Sequence, residues 1–516
     1  MSVKQVAPRP VARPGVPLWP VVVIACLAQF MVVLDSSIVN VALPAMKAGL
    51  HLSVNTQQWV VDGYLIAFGG LLLLAARSGD LFGRRRVFQL GLIVFTLASL
   101  TGGLAHDGAM LLAARFVQGA GAAALGPSSQ SLITASHTDA AQRTRALAWW
   151  GVTASSAGAV GVVLGGVLTA SLGWRWVFFV NIPLGAGLLA AAAGCLAASP
   201  GAADRPRLDI PGAVTVTTAV AALVYGVSRA PSDGWTSAGT LAAIGAGLVL
   251  LAAFAVIEVR TRESLIPLGL FSVPNVRIGN VLMVCLGVAI TAPLFFLSLY
   301  LQQVLGDSAL RAGLALLPMA TVLSLGVIVS RRLMPLLGPG RLLTAGALVA
   351  AAGLAWLAWL PAHPAYLSHV LAPTLVAGCG MSVTLLPMTA AATTGVAPEN
   401  TGVASGLFNM ARQIGGAVGL AVLVTVASSV TRHSHAGGAA RVVDGYHVAL
   451  LVVAAVVLAA AAIATRLRPA AAAAAAFASA PAPAAALAPA PVPAPALATR
   501  EAPGGRRTRG TPGGRR

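Results

Sequence analysis

Four ionisable side chains interrupt long apolar stretches: Asp35, Asp62, Arg115 and Arg412. A charge there is costly and is usually kept for a task. Counted from the ends of the apolar runs, Asp35, Asp62 and Arg115 lie roughly 13, 9 and 8 Å below one membrane face, in a single layer. An acid and an arginine at similar depth can pair. Desolvation and a neighbouring guanidinium act on the acid in opposite directions, so the carboxylate can change its protonation state. That is the chemistry of a proton carrier. For Asp62 a second reading stands beside it, an interfacial acid in contact with water. Arg412 sits near mid-depth, and no span of the second half is expected to hold an acid. It must snorkel, bond to carbonyls or meet an acid from the first half.

The elements that hold these residues must be membrane spans. Of the 516 residues, 57% are hydrophobic and only 9% charged, and the mean hydropathy is +0.85. A soluble domain carries about 25% charged residues. The composition therefore excludes a soluble enzyme, a disordered chain and a disulfide-stapled secreted domain. A spanning helix needs about 20 apolar residues. Fourteen runs qualify, the first at 18–44, the fourth at 110–133, the sixth at 177–198 and the last at 446–466. The expected class is an all-α integral membrane protein. The first run is too long for a signal peptide and lacks a cleavage pattern, so it counts as a span.

The net charge of +19 has the same origin. With the N-terminus inside, 25 of the 33 Lys and Arg fall on the cytoplasmic side and 6 outside. This is the positive-inside pattern of a multi-pass protein of the cytoplasmic membrane with both termini cytoplasmic. The charge reports orientation and needs no nucleic acid partner. The expected organisation is an N-terminal tail (1–17), a six-helix bundle (18–198), two extra helices with linkers (199–277) and a second six-helix bundle (278–466). An Ala/Pro-rich basic tail (467–516), read as disordered, ends the chain.

The two halves look duplicated. Span 4 carries Gly119-x-Gly121 and then Pro127, and span 12 carries Gly378-x-Gly380 and then Pro387. Spans 5 and 13 are both glycine-rich, and the loops after spans 2 and 10 are both basic. Each pairing is eight spans apart, as two six-span halves around two inserted helices require. Transporters are often built from such repeats. There is no phosphate-binding Gly-Lys-Ser/Thr loop and no segment large enough for a soluble ATPase domain, so the energy source is a gradient, without a cofactor. Cys26, Cys195, Cys285 and Cys379 are scattered in apolar runs and read as buried free thiols. His433 and His435 lack acidic or cysteine company, so neither a metal site nor a catalytic constellation is expected.

Several segments carry a resemblance. Leu34 to Pro44 reads LDSSIVNVALP and includes Asp35 and Asn40. It is similar to the span 1 signature of the 14-spanner drug/proton antiporters of the major facilitator superfamily. Trp59-Val60-Val61-Asp62-Gly63-Tyr64 resembles members with a second membrane acid. Arg77 to Arg86, with Gly79, Asp80, Gly83, Arg84 and Arg85, resembles the superfamily's cytoplasmic gating motif; its opening glycine is Ala76 here. Arg115-Phe116-Val117-Gln118-Gly119-Ala120-Gly121 resembles the span 4 motif. Gly158, Gly161, Gly165 and Gly166 match the antiporter motif of span 5, with Val162 in place of its proline. Gly173 to Pro183 resembles the outer 5–6 loop, useful for identification more than mechanism. Tyr300 to Gln303 and Arg412 to Gly416 add support in the second half.

The resemblance covers about 18–466 and implies the major facilitator fold. It implies proton coupling through Asp35, Asp62 and Arg115, and gating by the Arg77–Arg86 segment. Close helix packing falls to the glycines of spans 4 and 5, and a cavity or structural role to Asn40, Gln118 and Arg412. The implied activity is proton-driven export of amphipathic drugs or antibiotic natural products by a monomer in the lipid bilayer. A proton-coupled carrier of an endogenous metabolite, lipid or siderophore is the alternative on the same fold.

Overall fold

The computed structural model describes residues 17–137, 139–197, 208–261, 265–266, 268–361, 366–393, 396 and 401–467. Residues 1–16 and 468–516 of the expected tails, and 198–207 after the sixth span, lie outside these residues. The chain is built from α1 (Trp19–Leu50), α2 (Val54–Phe82), α3 (Arg84–Gly103), α4 (Gly108–Ser136), α5 (Ala140–Ser171), α6 (Trp176–Phe179), α7 (Asn181–Cys195), α8 (Ile210–Asp233), α9 (Ala238–Arg260), α10 (Pro274–Leu299), α11 (Ala309–Leu337), α12 (Pro339–Leu357), α13 (Ala372–Thr393), α14 (Thr401–His433) and α15 (Ala439–Ala464). Fourteen helical segments are long and apolar enough to cross a membrane, α6 and α7 together forming one. Several of the helices start where short polar side chains satisfy free amides. Ser53 accepts from the Thr56 N–H (3.0 Å), Asp107 from Met110 (2.8 Å), Asp139 from Gln142 (2.8 Å) and Ser237 from Thr240 (3.2 Å).

Lipid offers no hydrophobic drive between helices, so packing depends on close approach at small residues. The glycine pairs noted in the sequence make equivalent contacts in the two halves. Gly119 of α4 packs on the Tyr64 carbonyl of α2, and Gly378 of α13 on Met319 and Val322 of α11. A Cβ on Gly121 would lie 2.7 Å from the Phe95 nitrogen of α3; one on Gly380 would strike the Ala350 nitrogen of α12. Gly161 and Gly165 of α5 press on Leu34 and Ile38 of α1, while Gly415 and Gly419 of α14 press on Val284 and Val288 of α10. Gly83 and Gly338, at the matching connections α2–α3 and α11–α12, both have positive φ (97° and 75°). At these two turns the left-handed backbone favours glycine.

The halves meet along α5–α11 and α2–α14. Gly166 lies on Ala309 and Leu310 of α11, and a Cβ on Gly406 would come 2.8 Å from Leu73 of α2. On the side away from the chain termini, Ser298 donates to the Asn40 carbonyl and Gln302 to that of Val41, each at 2.9 Å, tying α10 to α1. Helix α9 packs mainly on α8, and α8 attaches to the α2–α14 seam. There Asn55 donates to the Ser228 carbonyl (2.8 Å) and Thr425 to that of Val227 (3.0 Å). With valine at 162 the backbone N–H is retained, and α5 runs unbroken over its 32 residues.

Candidate functional site

Helices α1, α3, α4 and α7 bring five polar side chains together inside the N-terminal half. Asp35 is fully buried (0% exposed) and Arg115 nearly so (1%). Arg115 Nη1 donates to Asp35 Oδ2 at 2.6 Å and to Gln118 Oε1 at 2.7 Å. Gln118 Nε2 donates to Asp35 Oδ1 and to Ser99 Oγ, both at 2.7 Å. Asn181 Nδ2 donates to Asp35 Oδ1 at 3.0 Å. Arg115 Nε is held by the Val60 carbonyl (2.9 Å), and its guanidinium lies 4.3 Å from the Tyr64 ring centroid. The Tyr64 hydroxyl donates to the Val32 carbonyl of α1 at 3.2 Å.

Every recorded side-chain partner of the Asp35 carboxylate is a donor, which suits the ionised form. Burying both charges is costly, and the pair persists because each guanidinium nitrogen in use has an acceptor and each carboxylate oxygen a donor. Protonating Asp35 would remove the charge that holds Arg115. The cluster can therefore couple a proton to a rearrangement of α1 against α4.

Asp35 and Arg115 pair as their types suggest, and Gln118 of the span 4 motif joins them. Asp62 does not join them. It lies on the face of α2 that carries Gly69 toward α14, whereas Arg115 docks on the Val60 and Tyr64 side. Asp62 is fully buried, which removes the water-exposed reading; Gln58 Nε2 donates to its Oδ2 at 2.6 Å, and Oδ1 has no recorded partner. Helix α1 continues past the apolar run to Leu50, so Asp35 lies fifteen residues from that end, roughly 22 Å.

Ser99 and Asn181 are the residues the sequence reading missed. Asn181 opens α7 at the break after α6. Pro183 explains the break, because it has no N–H for the carbonyl four residues earlier. The segment read as a mere identifier thus supplies a ligand to Asp35. A lone polar residue in an apolar run was the available signal at Asn181; Ser99, between Thr96 and Thr101, carried none.

Asn40 donates to the Ser36 carbonyl of its own helix (2.7 Å) and lends its own carbonyl to Ser298. Gly79 and Asp80 lie in the last turn of α2, so the turn itself falls to Gly83. The Asp80 side chain lies outside what is described. Arg84 donates to the Ser131 carbonyl (3.4 Å) and Arg85 to that of Ala193 (3.2 Å). These contacts bind the α2–α3 connection to α4 and α7. Gly158 has little against it, its nearest neighbour being Ser37 Oγ at 3.9 Å from an added Cβ. All four cysteines are free, but contrary to the buried expectation only Cys26 is buried; Cys195 and Cys285 are half-buried and Cys379 is exposed. In the C-terminal half the corresponding helices α10, α12, α13 and α15 surround a small apolar cavity lined by Leu286, Ala350, Met381 and Val457 among others.

A sequence model described as Major Facilitator Superfamily matches residues 25–420. The cephamycin export protein of Amycolatopsis lactamdurans is 44% identical over 430 residues, spanning 82% of this chain and 88% of that protein. The puromycin resistance protein of Streptomyces alboniger is 38% identical over 436 residues, spanning 83% and 86%. Among solved structures, a POT family peptide transporter matches with a TM-score of 0.61 at 15% identity, over 87% of this chain and 97% of that one. A bacterial homologue of the lysosomal transporter Spinster matches with a TM-score of 0.58 at 17% identity, over 87% and 97%. These last two speak to the fold alone. With fourteen spans, a repeat matched glycine for glycine and a family match over 25–420, the chain belongs to the major facilitator superfamily, whose members are carriers and not enzymes.

Proposed function

We propose that the protein exports small amphipathic antibiotics or drugs across the cytoplasmic membrane, exchanging them for protons by alternating access. The observation that carries this reading is the buried Asp35 carboxylate of α1, ringed by donors from α4 and α7. The relatives named for cephamycin export and puromycin resistance support the substrate class. A proton arriving on Asp35 releases Arg115 and lets α1 move against α4. Through Asn40 and Val41 that motion reaches α10 and the seam between the halves. Asp62 provides a second protonatable group beside α14, and the Gly83–Arg85 connection holds one gate conformation. The lysine and arginine distribution supports cytoplasmic termini. One chain contains the whole site, in keeping with a monomer in the bilayer that uses no cofactor beyond the proton gradient.

Inside-out vesicles given a panel containing a cephamycin, puromycin and native metabolites test this. Acidifying the lumen is expected to drive accumulation of at least one antibiotic, and a protonophore should abolish it. Accumulation of a metabolite and of no antibiotic would instead establish the endogenous-substrate alternative. Uptake indifferent to the protonophore would refute proton drive.

A further inference from the structure

Arg412 takes no part in the Asp35 cluster. It lies eleven residues into α14, roughly 17 Å from Thr401 and so near the middle of a hydrocarbon core about 30 Å thick. Among the described residues it has neither an ion pair nor a hydrogen bond from its side chain; its electrostatic neighbour is the Tyr64 phenol across the seam. The other arginine at membrane depth in this core, Arg115, is neutralised by Asp35. Asp62 is bonded to Gln58 instead. A guanidinium is expensive at this depth and is normally paired or turned to water.

The helix face on which it lies identifies the surroundings. Gly406 and Gln413 turn toward α2, and Gly415 and Gly419 toward α10. At 100° per residue, Ser405, Asn409 and Arg412 fall on the face between those two contacts. That face lies between α2 of the N-terminal half and α10 of the C-terminal half, where Gly416 approaches both Leu65 and Thr291. Asn409 is exposed and Ser405 and Arg412 are half-buried, so polar groups line this stripe at membrane depth. The backbone beneath is fixed, because the Arg412 carbonyl rests on the α-carbon of Gly287 and a Cβ on Gly69 would lie 2.9 Å from that of Gln413. The arrangement is a preset cation with the Asn409 amide one turn away, where one N–H reaches the Ser405 carbonyl (3.3 Å) and the other is left for a ligand.

We propose that Arg412, assisted by Asn409, is the recognition site for a carboxylate on the exported molecule, which makes organic anions a preferred substrate class. A planar guanidinium offers paired donors that match a carboxylate. The proposal rests on the export reading above, but binding can be measured without a proton gradient, so the two fail separately. Failure of proton-driven uptake with anion selectivity intact would refute the coupling and leave the site.

The test uses the full chain in lipid nanodiscs, titrated with a cephamycin free acid and with its methyl ester. Wild type is expected to favour the acid at least about tenfold, the order of one buried charged hydrogen bond. Arg412→Gln should erase that preference and Arg412→Lys should restore part of it. If Arg412→Gln fails to fold, Asn409→Ala, on an exposed position, should still narrow the acid-to-ester ratio. Equal wild-type affinity for acid and ester, binding of neither, or an unchanged ratio in both variants would overturn the proposal.

Discussion

Asp35→Asn is expected to lower gradient-driven export at least about a hundredfold, the scale of a positioned proton-transfer group, while leaving a folded protein. Asparagine keeps an acceptor for Gln118 or Asn181, and its volume matches aspartate, so the cluster stays filled. It cannot exchange a proton at accessible pH. The transport cycle then loses the event that detaches Arg115 from α1. Downhill exchange of substrate, which needs no proton, should fall far less. Comparing the two rates in one vesicle preparation separates lost coupling from lost folding. Equal loss of both would point to a structural role for Asp35.

Arg115→Ala has the largest expected effect on stability. It leaves the Asp35 carboxylate buried without a counter-ion, strips an acceptor interaction from Gln118 and empties the space over the Tyr64 ring. Removing one member of a buried ion pair costs about 3–5 kcal/mol. Arg115→Lys should recover little. A single ammonium cannot reach the Val60 carbonyl, Asp35 and Gln118 together as the guanidinium does, nor lie flat on the tyrosine. In an Asp35→Asn background there is no stranded charge, so the cost of Arg115→Ala should shrink by at least about 1 kcal/mol. Thermal unfolding of the four proteins of this cycle measures the coupling. Additive losses would mean that the two residues act independently.

Much of this was legible in the sequence because membrane helices are written in long runs. Fourteen spans and the eight-span repeat follow from apolar length and glycine spacing, and the repeat reappears as matched glycine contacts. Asp35 and Arg115 stood out as charges in an apolar setting, and Gln118 came with the span 4 motif. Asp62 misled because distance along the chain gives depth but not the direction a side chain faces. It shares a helix with the groups that hold Arg115, yet it turns to the other side. Helix ends misled for a related reason. Helices α1 and α15 extend beyond their apolar runs, to Leu50 and back to Ala439, because backbone hydrogen bonding continues past the lipid boundary. Ser99 and Asn181 could not be ranked without knowing that α3 and α7 pack around Asp35. That is a tertiary fact, set in part by the break at Pro183.

The same considerations bear on Arg412. Sequence left it three fates: snorkelling, carbonyl contacts, or an acid in the other half. Its electrostatic neighbour is the phenol of Tyr64, whose ring also carries Arg115. One tyrosine thus lies between the proposed proton site and the proposed anion site, and binding at either should be felt at the other.

The most direct measurement is proton movement upon substrate addition. Purified protein in proteoliposomes holding a pH-sensitive dye, with no gradient imposed beforehand, receives an outward-directed gradient of a transported antibiotic. Wild type is expected to move protons opposite to the antibiotic, and Asp35→Asn to move none while the antibiotic still equilibrates. Antibiotic flux through wild type with no accompanying proton movement, or the same proton movement in Asp35→Asn, would contradict the assignment of Asp35 as the coupling carboxylate.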